Sequence, residues 1–277
     1  MPVPLRDVAT TVAVIADPDD FTAMRQFASF PHTDHTHYLA DIDDLLHNLA
    51  ADGSHVTVAL FDPVDYSDFC DNTRINPDTH TSRTAYTADL AATGPRITYT
   101  GQPLPTLLET LVDAAVRHAT HTYATALLAD LGHCSHCGRD LGTAALEHAS
   151  TTLLTLLDQA GPGTHHLVCS VPADEQLLAV LTTPGDVIED TEFLTVLAVG
   201  MTQGGDGGLV LRTTTPGAHD RVHGWRLGHG RLLPLTEAEV FNAYCTDART
   251  GEPIAPEPDV DYRAGFPLPS THPHTHA

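Results

Sequence analysis

Residues 12–22 read VAVIADPDDFT, and the same pattern returns 45 residues later as TVALFDPVDYS at residues 57–67. Each copy is a short apolar run followed by Asp-Pro-x-Asp-aromatic-hydroxyl and then an apparent helix. Asp is a preferred N-cap, Pro suits the first helical position, and an acid suits the first turn. Between the copies, residues 38–49 have apolar residues at helical spacing, and Gly53 follows as a stop signal. The sequence therefore predicts an α/β unit over residues 1–102.

Asp17 and Asp62 occupy matching positions in the two copies. If the two predicted strands are parallel neighbours, these aspartates lie side by side at the carboxyl ends of the strands, where open α/β sheets bind ligands. N-capping alone explains both residues, and a ligand or Mg²⁺ role is the alternative.

The next segment, residues 103–250, has a different sequence pattern, with two long predicted helices followed by predicted strands. Residues 104–131 predict one long helix with an apolar face and no interior Pro or Gly, and Gly132 ends it. A second helix is predicted from about residue 141 to residue 160. Strands are predicted at residues 166–171, 176–182, 193–201, 209–214 and 221–227. The predicted fold class is α+β: an N-terminal α/β unit, a central antiparallel helical hairpin and a C-terminal, mostly antiparallel sheet.

The last segment, residues 251–277, is rich in Pro, acidic residues and His. Such a composition offers little apolar surface to bury, and it predicts a disordered tail.

Composition excludes several function classes. The formal net charge is -23, and all 13 basic residues are Arg. Without Lys, the chain has no Schiff-base lysine and no P-loop lysine, which excludes pyridoxal phosphate enzymes and P-loop nucleotidases. A strongly acidic surface is repelled by nucleic acid, so direct nucleic-acid binding is not expected. A protein partner or self-association is expected instead.

Hydropathy and cysteine usage indicate the compartment. No run of 18 apolar residues is present, which predicts no membrane-spanning helix. The N-terminus lacks the regions of a signal peptide. Five cysteines at irregular spacing fit reduced thiols better than a disulfide framework. These features predict a cytoplasmic protein.

The densest group of metal-ligating residue types is HCSHCGR at residues 133–139. Cys-x-x-Cys-Gly resembles the knuckle of zinc ribbons and treble clefs, which implies a structural zinc, although no second Cys-x-x-Cys follows. The candidate ligands are Cys134, Cys137, His133 and His136, and a tetrahedral zinc needs four. A helix rises about 1.5 Å per residue, so His121, which precedes Cys134 by 13 residues in a predicted continuous helix, would lie roughly 20 Å away. The remaining near candidate is Asp140, and Cys70, Cys169, Cys245, His165 and His166 are candidates that the fold would have to bring in.

Three interpretations of the Cys pair stay open. The first is a structural zinc, which could instead be shared between two chains that each give one Cys-x-x-Cys, an arrangement that resembles a zinc hook. Cys-Ser-His-Cys also resembles the redox motif of oxidising thioredoxin-like proteins, but that fold requires a strand before the motif, and here a helix is predicted. The third interpretation is two free thiols in an interhelical turn.

A second cluster, HTDHTH, occupies residues 32–37. A loop before the predicted helix at Tyr38, capped by Asp34 or Thr36, accounts for it, and a metal site at His32, Asp34, His35 and His37 is the alternative. The sequence favours a non-catalytic, zinc-stabilised, oligomeric binding or regulatory protein. A metal-dependent hydrolase that uses this cluster, or Asp17 and Asp62, is the alternative function.

Overall fold

The computed structural model describes residues 10–174, 176–183, 190–202, 207–228, 230–247 and 250–269. Within them the protein has an α+β fold, and this prediction is confirmed. The chain forms two compact units, residues 1–118 and 119–277.

The first unit is built on the repeated strand-helix pattern. Its elements are β1 (Thr10–Val14), α1 (Pro18–Met24), α2 (His35–Ala51), β2 (Val56–Leu60), α3 (Pro63–Thr73), α4 (His80–Thr93) and β3 (Ile97–Thr98). β1 and β2 are parallel neighbours, and β3 is antiparallel to β2. Asp17 caps α1 and Asp62 caps α3, each followed by Pro in the first turn, as the repeat predicts. The helices bury Met24, Leu46 and Tyr66 completely in one apolar core with the strands.

The second unit is a sheet covered by helices. It takes in the end of α5 (Leu104–Ala129), followed by α6 (Leu141–Ala160), β4 (Thr164–Val171), β5 (Leu177–Thr183), α7 (Thr191–Thr202), β6 (Gly208–Thr214), β7 (Asp220–Gly228), β8 (Arg231–Pro234), α8 (Glu237–Tyr244) and β9 (Val260–Tyr262). The strand order β5-β4-β6-β7-β8 is antiparallel throughout, and β9 adds to β7 in parallel. No helix among the described residues is both long and apolar enough to cross a membrane.

One element differs from its predicted type. Residues 193–201 were expected as a strand, but they form the body of α7, which Asp190 caps by accepting the N–H of Phe193 at 3.0 Å. Phe193 and every residue from Thr195 to Met201 are buried. A helix buried on all sides loses its amphipathic periodicity, so its continuous apolar run cannot be distinguished from that of a buried strand.

The tail predicted to be disordered from residue 251 is partly folded. β9 pairs with β7, and the indole N–H of Trp225 donates to the carbonyl of Phe266 at 2.9 Å. Arg212 donates to Glu257 at 2.8 Å, which joins the segment to β6. The prediction is wrong for these residues because contacts with distant parts of the chain offset a composition that is unfavourable locally. Residues 270–277 lie outside the described residues.

Gly142, in the first turn of α6, lies against the end of α5. A Cβ placed on it would lie 2.7 Å from the carbonyl oxygen of Leu128. We expect Gly142→Ala to reduce the free energy of unfolding by about 1–3 kcal/mol, because the backbones must separate. Chemical denaturation measures this. Gly208→Ala is the control, since its Cβ would meet only Trp225 O at 3.6 Å. Equal stabilities of the two variants would contradict the close approach of α5 and α6.

His165 of β4 is buried, and it contacts the hydroxyl of Thr213 at 3.1 Å. Burial, with a smaller contribution from Arg221, lowers its pKa below the ordinary 6.5. Unfolded His165 therefore binds a proton more readily than folded His165, and the free energy of unfolding falls as pH decreases below about 6.5. His223 contributes with the same sign, because burial lowers its pKa as well.

We expect His165→Asn to flatten this decrease between pH 6.5 and 5, by at most about 1.4 kcal/mol per pH unit. Urea denaturation at several pH values measures the slope. His166→Asn, at an exposed position of the same strand, is the matched control. An unchanged slope in His165→Asn would show that this histidine does not couple protonation to folding.

Candidate metal centre

The Cys-x-x-Cys segment forms a closed turn between α5 and α6. Gly132, at a positive φ of 65°, ends α5. Its carbonyl accepts the N–H of Leu141 at 2.9 Å, and His133 and Asp140 form an antiparallel bridge. The chain thus reverses over residues 133–140 while its ends stay hydrogen-bonded to each other.

Inside this turn lies a smaller one that presents the two cysteines. The N–H of Cys134 donates to Arg139 O at 2.8 Å, and the N–H of Gly138 donates to Cys134 O at 2.8 Å. Gly138 has a φ of 72°, a left-handed conformation that favours glycine. The glycine after the second cysteine is therefore required by the turn. We call residues 134–138 the knuckle.

The thiol of Cys134 is held by backbone donors. The N–H of Cys137, then that of His136, and the thiol of Cys137 hydrogen-bond to it, and together they lower its pKa. Each of these interactions favours the thiolate, which is the form that binds a metal or acts as a nucleophile. Cys137 is exposed and Cys134 is half-buried. The structure thus brings two free thiols together on an accessible turn.

The flanking residues of the knuckle have other partners. The carboxylate of Asp140 caps α6 by accepting the N–H of Thr143 at 2.6 Å, and this lowers its pKa. Arg139 forms an ion pair with Glu147. Asp140 is a ligand candidate by residue type, but an acid directly before an apolar helix is also an N-cap signal. The ion pair had no comparable signal in the sequence.

The other predicted ligands do not join the two cysteines. Within the described part of the chain, no group of three or more His, Cys, Asp or Glu side chains is placed to hold a metal ion. His133 and His136 therefore do not complete a site with the pair in this structure. The three remaining cysteines, Cys70, Cys169 and Cys245, are buried free thiols, and burial raises the pKa of Cys169 to about 12.

The HTDHTH cluster serves local structure. Asp34 caps α2 by accepting the N–H of His37 at 2.9 Å, as the capping interpretation predicts. His35 donates through Nε2 to the carbonyl of Ile15 at 3.1 Å and packs on Phe21, with ring centroids 5.1 Å apart. His32 packs edge-on against Tyr38 at 4.9 Å. Both rings thus pack on Tyr38, and the cluster forms no metal-holding group of three or more side chains within the described part of the chain.

The two capping aspartates lie at the same end of the parallel β1–β2 pair. The carboxylate of Asp17 accepts the N–H of Asp19 at 2.7 Å, and that of Asp62 accepts the N–H of Val64 at 2.7 Å. The pKa of nearby Asp20 is raised by burial and by the charges of Asp62 and Asp17. Asp20 therefore lies close enough to both capping carboxylates for their charges to act on it, and both caps are satisfied by backbone donors.

One family model matches the N-terminal part of the chain. Residues 3–102 match the family described as Domain of unknown function (DUF8829). No curated protein and no solved structure matches the chain.

Proposed function

We propose that this chain is a non-catalytic binding or regulatory protein whose Cys134/Cys137 knuckle holds a structural zinc ion. The observation that supports this most strongly is the closed turn that presents both thiols, in which the N–H of Cys134 donates to Arg139 O and the N–H of Gly138 donates to Cys134 O, each at 2.8 Å. Hydrogen bonds from surrounding groups orient metal ligands and stabilise their charged form. Zinc displaces the thiol protons and prefers sulfur and nitrogen ligands.

The redox interpretation has less support. A thioredoxin-like site needs a strand before its Cys-x-x-Cys, and here the 26-residue helix α5 precedes it. The lowered pKa of Cys134 fits a metal ligand as well as a nucleophile.

The proposed compartment is the cytoplasm, and the proposed partner is another protein or a second copy of the chain. All five cysteines, each within the described residues, are free thiols, which fits a reducing environment. The net charge of -23 favours protein partners over nucleic acid. The organisation into residues 1–102 and 103–250 also stays a proposal. The family match ends at residue 102, whereas the compact units meet at residues 118 and 119.

A metal-dependent hydrolase stays the second proposal. Its support is the parallel pairing of β1 and β2, which places Asp17 and Asp62 at the same end of the strands. In this proposal, either these aspartates or the cluster of His32, Asp34, His35 and His37 would hold the metal.

Metal analysis of the untagged full-length protein separates the two proposals. We expect zinc to co-purify with the wild-type chain and to be absent from Cys134→Ala/Cys137→Ala. Ser135→Ala is the control, because it changes an exposed residue of the same turn without removing a thiol. Metal retained in the double Cys variant and lost in His35→Ala would favour the hydrolase. Absence of metal from the wild-type protein, even after incubation with zinc, would contradict both.

A further inference from the structure

We infer that the zinc at the knuckle is shared between two copies of this chain, and that each copy supplies Cys134 and Cys137. This inference rests on the proposed function and adds a partner, a second copy of the chain, together with the full ligand set. The site would be a tetrahedral Cys₄ zinc on a twofold axis.

The number of ligands is the first argument. A structural zinc takes four protein ligands, and the knuckle supplies two sulfurs. No third His, Cys, Asp or Glu side chain joins them among the residues that the structure describes. The carboxylate nearest to the cysteines in sequence, that of Asp140, accepts the N–H of Thr143 at 2.6 Å and so serves as the N-cap of α6. Two knuckles facing each other provide the four sulfurs that the site requires.

The position of the knuckle is the second argument. Residues 135–139 are all exposed, and Cys137, the outer of the two thiols, is exposed with them. The turn is closed by its own backbone hydrogen bonds, such as the 2.8 Å bond from Cys134 N–H to Arg139 O. A second copy can therefore approach the sulfurs without unfolding the helices on either side. Contacts through the same patch on both copies give a closed twofold dimer, the commonest symmetric oligomer.

The third argument is that the charge of the chain makes association depend on the metal. Each copy carries a formal charge of -23, so two copies repel each other at neutral pH. Association therefore needs a strong local attraction, which a divalent cation between four thiolates supplies. The dimer should consequently form only with the metal and should dissociate when a chelator removes it.

The test measures the molar mass of the protein and its bound zinc in the same titration. Zinc chloride is titrated into the reduced, metal-free, untagged full-length chain, and light scattering measures the molar mass while elemental analysis measures bound zinc. We expect the mass to double from the 29.6 kDa of one chain as bound zinc reaches one ion per two chains. Addition of a chelator should restore the monomer. Cys134→Ser/Cys137→Ser should stay monomeric and metal-free, with circular dichroism confirming that it folds.

Two control variants exclude ligands from the same chain. His133→Ala/His136→Ala removes the adjacent imidazoles, and a chain that ends at residue 269 removes the terminal histidines. Both should still dimerise with half an equivalent of zinc. One zinc per monomer, or loss of the dimer in either control, would overturn the shared site while leaving a knuckle-bound zinc intact. Failure of the wild-type chain to bind zinc would overturn both the shared site and the proposed function.

Discussion

Zinc at about 1,000 times its dissociation constant should raise the wild-type free energy of unfolding by about 4 kcal/mol for each zinc ion bound, and Cys134→Ser/Cys137→Ser should not respond. A ligand that binds only the folded state stabilises it in proportion to the logarithm of its concentration. The knuckle depends on the fold, because the hydrogen bonds of its turn, such as that from Gly138 N–H to Cys134 O at 2.8 Å, exist only when the turn is closed.

Guanidinium denaturation with and without zinc measures this effect at a fixed chain concentration. The concentration must be held constant because a shared site makes stability depend on it. Ser135→Ala should respond as the wild type does, since it keeps both thiols. Equal stabilisation of the double Cys variant would place the zinc elsewhere in the chain.

Trp225→Ala should destabilise the second unit by about 3–5 kcal/mol, since it removes a large, completely buried side chain. The indole also donates to Phe266 O at 2.9 Å and packs edge-on against the ring of Phe266, with centroids 4.9 Å apart. The same substitution should therefore release the segment that contains β9. The amides of Arg263 and Gly265, bonded to Val222 O at 2.8 Å and Leu235 O at 2.9 Å, should lose protection against hydrogen exchange.

Trp225→Phe is the matched variant. It keeps an apolar ring in the core and loses the indole donor, so we expect a smaller cost of about 1–3 kcal/mol. Denaturation gives the stability of both variants, and hydrogen exchange gives the protection of the segment. Wild-type protection of Arg263 and Gly265 in Trp225→Ala would show that the segment folds independently of this side chain.

The parts of the fold that the sequence predicted are those with local signals. The Asp-Pro repeat marks the starts of α1 and α3 because capping involves residues within one turn. Gly132 marks the end of the long α5 region in the same way. The parallel pairing of β1 and β2 was anticipated as a condition for bringing Asp17 and Asp62 together, and the structure has it.

The parts that the sequence did not predict depend on distant residues. No sequence feature near Phe193 indicates that α7 is buried on every side. Likewise, no sequence feature near Phe266 indicates that Trp225 lies beside Phe266 in the fold. At the candidate site, the spacing of the cysteines predicted a knuckle, and Gly138 fits that turn. The donation of the Cys137 and His136 N–H groups to Cys134 adds chemical detail that composition cannot give.

X-ray absorption at the zinc edge, on the purified full-length protein, tests the central claim most directly. We predict that sulfur atoms at about 2.3 Å dominate the first coordination shell, as expected for thiolate ligands. They should disappear in the Cys134→Ser/Cys137→Ser variant. A zinc ion surrounded only by nitrogen and oxygen atoms at about 2.0–2.2 Å would contradict a zinc site at the knuckle.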